Sequence, residues 1–191
     1  MKVGLFFGSF NPIHNGHLII AEHMATQTDL EQVWMVVSPH NPLKQKKTLA
    51  NDYDRLHLAH LGINDNPRLK VSNIEFSLPK PSFTIDTLVH LKEKFSEHQF
   101  ALIMGGDNLC GLHQWKNYET ILNNYPIYVY RRPDFPATEF DSHPGVKFAN
   151  APLLDISSTY IRDCLRKNLS VRYLVPDEVY QYLMSGVLYR N

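Results

Sequence analysis

The chain of 191 residues carries no net charge, 19 basic side chains balancing 19 acidic ones, and it has only two cysteines. Neutrality withholds the electrostatic footprint of a non-specific nucleic-acid binder or of a polybasic membrane-surface protein, so neither nucleic acid nor membrane is expected as a partner. Cys110 and Cys164 stand far apart in no Cys-x-x-Cys pattern, which excludes a disulfide framework and a zinc knuckle. A reducing, cytoplasmic setting is the expectation. No apolar run approaches membrane-spanning length, and residues 1–7 are too few for the core of a signal peptide. With 43% apolar residues, a chain of this length buries well over half of its unfolded surface and needs neither disulfide nor metal to hold its core.

What is present is an alternation. Short β-rich runs and helical patterns succeed each other, which predicts βαβ crossovers and a mainly parallel sheet. Strands are expected over 3–7, 32–37, 69–76, 100–104, 127–130 and 146–149. Helices are expected over about 16–28, 52–63 and 84–95, the last with Ile85, Leu88, Leu91 and Phe95 on one apolar face. Between them, 38–51 holds two prolines and three lysines and reads as a long loop of the functional kind. The C-terminal part is helical: Ser157 is a candidate N-cap before 160–167, and Pro176 opens a last helix that Gly186 closes. The expected architecture is one doubly wound α/β domain over 1–191, with a core to about 150 and a small helical extension beyond. In such sheets ligands sit at the carboxyl ends of the strands.

The richest segment is the first strand-to-helix turn, Gly8-Ser9-Phe10-Asn11-Pro12-Ile13-His14-Asn15-Gly16-His17. It is neither a Walker A loop nor a Gly-x-Gly-x-x-Gly turn. Gly8 would let backbone approach a phosphate, Gly16 would let the helix start pack against a ligand, and the positive end of the helix dipole favours an anion there. His14 and His17 stand three apart at that helix start. They could be incidental, or two ligands of a zinc whose third and fourth ligands are not evident, Glu22 being poorly spaced. Their position favours a third reading, two donors to phosphate oxygens. A distant segment, Ile156-Ser157-Ser158-Thr159-Tyr160-Ile161-Arg162, places hydroxyls, amides and a guanidinium at another helix start, a second candidate phosphate cradle.

The pair His-x-Gly-His and Ile-Ser-Ser-Thr-x-Ile-Arg resembles the two signatures of the nucleotidyltransferase superfamily. Further segments, Pro81 to Leu88, Gly105-Gly106-Asp107-Asn108, Trp115 to Tyr118 and Arg131-Arg132-Pro133, are similar to those of bacterial nicotinate mononucleotide adenylyltransferases, over essentially the whole chain. The resemblance implies a Rossmann-like fold. It also implies an ATP side lined by Gly8, Ser9, Phe10, His14, Gly16, His17, Ile156, Ser157, Ser158 and Arg162, with Gly105 and Asp107 at the mouth of the central strand. The nicotinate mononucleotide side would hold Asn41, Lys44, Phe83, Thr84, Trp115 and Arg132, with backbone amides receiving the carboxylate and the Trp115 indole stacking on the pyridine ring. His14, His17, Lys44 and Arg162 would be catalytic, Lys46 and Lys47 being alternatives to Lys44. One residue departs from the family pattern: Asn11 stands where Asp is usual, which keeps hydrogen bonding and removes a charge.

The reaction so implied is attack by the mononucleotide phosphate on the α-phosphorus of ATP, releasing pyrophosphate, with Mg2+ held mainly by phosphates and water. A homo-oligomer is left open. Phosphopantetheine adenylyltransferases, which usually carry Thr in place of His14, a nicotinamide mononucleotide preference, and a catalytically silent nucleotide-binding module are the alternatives.

Overall fold

The structure, a computed structural model, describes residues 1–39, 49–131 and 135–190. Six parallel strands form its sheet: β1 (Lys2–Gly8), β2 (Gln32–Val37), β3 (Leu69–Ser72), β4 (Gln99–Gly105), β5 (Ile127–Tyr130) and β6 (Val146–Ala149), in the order β3-β2-β1-β4-β5-β6. The strands are short and rich in Val, Ile, Leu and Phe because a parallel sheet is covered on both faces. Side chains alternate between two cores. Val33, Met35 and Val37 of β2 point into one with Phe6, Ala101, Ile103 and Tyr128; Trp34 and Val36 point into the other with Leu5, Leu102, Met104 and Val129.

The helices divide between these cores. The first is covered by α1 (Asn15–Gln27), α2 (Asp52–Ile63), α6 (Ser158–Arg166) and α7 (Asp177–Ser185), through Ile20 and Met24, Leu58, Ile161 and Leu165, and Val179 and Leu183. The second is covered by α3 (Thr84–Lys94), α4 (Gly106–Cys110) and α5 (Tyr118–Asn124). The chain builds β1, β2 and β3 outward, then returns to lay β4 on the other side of β1. That reversal opens a crevice at the carboxyl ends of β1 and β4, the ligand position of a doubly wound sheet. Among the described residues no helix is long and apolar enough to cross a membrane.

Most expected elements stand where the pattern puts them, with three differences. The third strand ends at Ser72 instead of continuing to 76. The Ser72 hydroxyl accepts from the Ile74 amide at 3.3 Å, and a 3-10 turn over Ile74–Ser77 follows. The helix after Ser157 begins at Ser158, because the Ser157 hydroxyl caps the Tyr160 amide at 3.1 Å. Two short helices, α4 and α5, lie in a stretch where no periodicity marks them. Of the expected loop 38–51, residues 40–48 lie outside the described residues.

The 3-10 turn buries Glu75 behind the start of α3, where its Oε1 accepts from the Thr87 hydroxyl at 2.8 Å. Burial pushes its carboxyl up from the ordinary range, against hydrogen bonds from Ser38, Thr87 and Ser82 that favour the charged form. A carboxyl that holds its proton more tightly folded than unfolded costs nothing at low pH, and destabilises the fold as pH rises from the unfolded value through the folded one. Glu75→Gln removes that cost. Urea unfolding is expected to show the variant gaining on the wild type as pH rises from about 4 to about 7. A difference constant with pH contradicts it.

Candidate active site

The first turn leaves the sheet with its carbonyl oxygens tied down. The β1–β2 ladder ends where the Ser38 amide donates to the Gly8 carbonyl at 2.9 Å. Beyond it Arg55 Nη1 donates to the Ser9 carbonyl at 2.5 Å, Arg162 Nη1 to the Asn11 carbonyl at 2.8 Å, and the Ser158 hydroxyl to the Pro12 carbonyl at 2.9 Å. Trans peptide planarity then turns the amide hydrogens of Phe10 and Ile13 to the opposite side. Asn11 Oδ1 accepts from the Ala50 amide at 3.0 Å, a turn-shaping bond that an amide makes without a charge.

Phe10 occupies the left-handed region, φ 43°, a conformation costing an aromatic residue on the order of 1–3 kcal/mol. The fold recovers this by burying its ring, which meets Phe6 edge-on at 6.0 Å and His17 at 5.1 Å. The ring also folds back over the end of β1: a Cβ on Gly8 would stand 2.9 Å from it. Gly8 therefore makes room for Phe10. Gly16 does the same for His14, whose ring lies 3.1 Å from where a Cβ would be. Both glycines make room for side chains of the turn.

His14 is the N-cap of α1, and its amide donates to His17 Nδ1 at 3.2 Å. An Nδ1 that accepts from a backbone amide carries no proton, so the neutral His17 ring holds its hydrogen on Nε2 and is a donor there. The two rings stack, 3.6 Å between centroids at 25°. Not every first-turn amide is available to a ligand: that of Asn15 donates to the Leu174 carbonyl at 3.0 Å, while the Asn15 side chain donates to the Tyr173 carbonyl at 2.7 Å.

The second motif lies directly on this turn. Besides Ser158 and Arg162, whose bonds bridge 146 and 151 residues, Ile156 packs on the first core and Ser157 starts the helix. Arg162 Nη2 also donates to the Thr159 hydroxyl at 3.2 Å, and its buried Nε has no partner among the described residues. Burial pushes Arg162 down from the ordinary arginine value, with Tyr189 and Asp163 opposing and Arg166 assisting; it stays a cation. Tyr189, from the C-terminal segment, faces Arg162 and Arg55, and burial pushes its hydroxyl up.

Across the crevice, β4 ends at Gly105 and Asp107 stands in the first turn of α4. The Asp107 carboxylate folds back into the space a Gly105 side chain would need, so it is not the N-cap, and its buried Oδ1 has no partner among the described residues. Further along the edge, Phe83 caps α3, Thr84 begins it, and Phe83 and Trp115 pack half-buried on the second core. Lys116 lies 5.0 Å from the Phe83 ring and pairs with Asp86 at 2.9 Å. Asn41, Lys44, Lys46, Lys47 and Arg132 lie outside the described residues. Among the described residues no group of three His, Cys, Asp or Glu could hold a metal ion.

Sequence reasoning missed Arg55, a fully buried cation under the turn. A signal existed: it shares a helix face with Leu58, Ala59 and Gly62, all buried.

The chain as a whole resembles known proteins. The cytidylyltransferase-like family model matches residues 5–164. A probable nicotinate-nucleotide adenylyltransferase of Flavobacterium psychrophilum is 53% identical over all of both chains, and one of Flavobacterium johnsoniae is 52% identical, again over all of both. In fold, the chain is similar to the Plasmodium falciparum nicotinic acid mononucleotide adenylyltransferase solved in complex with NaAD, with TM-score 0.83 and 21% identity over 98% of this chain and 97% of that one. By its full-length relatives and its family model, this chain belongs to the nicotinate-nucleotide adenylyltransferases of the cytidylyltransferase-like family.

Proposed function

We propose that the protein transfers the adenylyl group of ATP to nicotinate mononucleotide, giving nicotinate adenine dinucleotide and pyrophosphate. The observation that carries this reading is the junction of the two motifs, Ser158 on the Pro12 carbonyl and Arg162 on the Asn11 carbonyl, beside the stacked histidines. It gathers cations, a ring N–H and outward-facing amides at one point of the crevice, an arrangement suited to a polyphosphate.

The nucleophile is a phosphate oxygen of the mononucleotide. With a second pKa near 6 it is already largely ionised at about pH 7, so no general base is needed. That oxygen bonds to the α-phosphorus as the bond from the α-phosphorus to the bridging oxygen breaks, and pyrophosphate leaves with the electron pair. The protein positions two anions against their repulsion and stabilises charge on the equatorial oxygens. His17 donates through Nε2–H to the α-phosphate, and His14, stacked on it, serves the same oxygens. Arg162 and Lys44 serve the triphosphate, and Ser9, Gly105, Asp107 and Ser157 surround the nucleotide. Mg2+ enters with ATP as its magnesium complex. Thr84 at the start of α3, with Phe83 and Trp115, receives the nicotinate ring and carboxylate, and Asn41 and Arg132 complete that side.

A pyrophosphate-release assay with MgATP, comparing nicotinate mononucleotide, nicotinamide mononucleotide and phosphopantetheine, tests the reading. Preference for the first is expected; preference for either other acceptor overturns the substrate assignment. In the same assay His17→Ala is expected to lower kcat roughly 10²–10³-fold with a smaller change in KM. A folded variant turning over at the wild-type rate removes His17 from the chemistry.

A further inference from the structure

Arg55 is 0% exposed. A guanidinium so placed costs several kcal/mol unless its donors are met. Nε donates to the Ala50 carbonyl at 3.1 Å, Nη1 to the Ser9 carbonyl at 2.5 Å and the Ser38 carbonyl at 3.0 Å, and Nη2 to Asp52 Oδ1 at 2.7 Å. Ser9 and Ser38 are the first residues past the ends of β1 and β2, whose last paired residues are Gly8 and Val37. There the two chains diverge and their carbonyls lose cross-strand partners. One nitrogen of Arg55 supplies a donor to each.

We propose that Arg55 is a positioning residue for the transfer reaction: by holding the Ser9 carbonyl it sets the orientation of the Ser9–Phe10 peptide, and with it the Phe10 amide and the ring against which His17 rests. Arg55 touches no substrate, being closed off from solvent. Its effect passes through Phe10, which meets His17 at 5.1 Å in a backbone conformation that an unrestrained aromatic residue would leave. Three features fit a positioning role better than a general contribution to stability. The bonds go to carbonyls of the turn and of the neighbouring strand end, both at the crevice. They need a planar fork of several donors, which lysine, a single tetrahedral nitrogen, does not reproduce. The carbonyls of Ser9 and Asn11 are held by arginines from different helices, Arg55 of α2 and Arg162 of α6, so the turn is fixed from both sides of Phe10.

The inference rests on the turn being the ATP site, and its test separates the two. Arg55→Lys and Arg55→Met are assayed well below the melting midpoint of each, with circular dichroism confirming the fold; if the Met variant does not fold, the Lys variant decides. Arg55→Lys is expected to lower kcat about 10- to 100-fold, the scale of a small misplacement of reacting groups, with KM for the acceptor within about twofold. Placed on His17→Ala, it should cost less than about threefold more, because both act through one group. Retained kcat in folded Arg55→Lys, losses that multiply independently, or an acceptor KM that rises to account for the loss would each overturn it. The assay uses whichever acceptor the wild type turns over, so a wrong acceptor assignment shows in the wild type alone. Should the wild type release no pyrophosphate with any acceptor, calorimetry with a non-hydrolysable ATP analogue decides. Weaker binding by Arg55→Lys supports the inference and equal binding overturns it.

Discussion

When a strand at the centre of a parallel sheet ends and its chain turns into a helix without reaching the surface, the carbonyl oxygens of the turn lose their ladder partners and cannot take water instead. Each one left unpaired would cost about 1–3 kcal/mol. Here three of them, at Ser9, Asn11 and Pro12, are met by Arg55, Arg162 and Ser158. The rest follows from that constraint. Donors must come from α2 and α6, so a helix begun more than 140 residues later is docked against the first turn. With the carbonyls held inward, amides face outward, Phe10 is kept at its positive φ, and its ring supports His17.

The same constraint reconciles a neutral chain with polyanionic substrates. Two buried guanidinium groups meet carbonyls of the turn, and they place positive charge beneath the crevice while acidic residues elsewhere cancel it in the total. Neutrality of the total is compatible with a local positive site. Among the described residues the site has stacked imidazoles, a ring nitrogen fixed as a donor and amides, which suits a reaction whose attacking group arrives already ionised.

Much of this was legible in the sequence. Buried parallel strands announce themselves by composition, and the two motifs, with their histidines, hydroxyls and arginine, could be read as phosphate chemistry before their contact was known. Their contact itself could not, since nothing local says that Ser158 and Arg162 reach the carbonyls of Pro12 and Asn11. That Phe10 lies against Gly8 and His14 against Gly16 is likewise visible only in the fold, since a glycine signals close approach without saying what approaches. Arg55, in the run Asp52-Tyr53-Asp54-Arg55, has the look of a solvated helix start, and its partners lie as far as 46 residues away. The third strand ends at Ser72, where the serine hydroxyl accepts from the Ile74 amide and a 3-10 turn follows, although the apolar residues beyond it favour a strand.

The central claim is that the protein contributes position and charge while substrate phosphate attacks the α-phosphorus directly. Stereochemistry at that phosphorus tests it most directly, using ATP made chiral there with sulfur in place of one non-bridging oxygen and reading the configuration of the dinucleotide product. A single in-line displacement predicts inversion. Retention would mean two displacements through an adenylylated protein side chain, and would contradict the account.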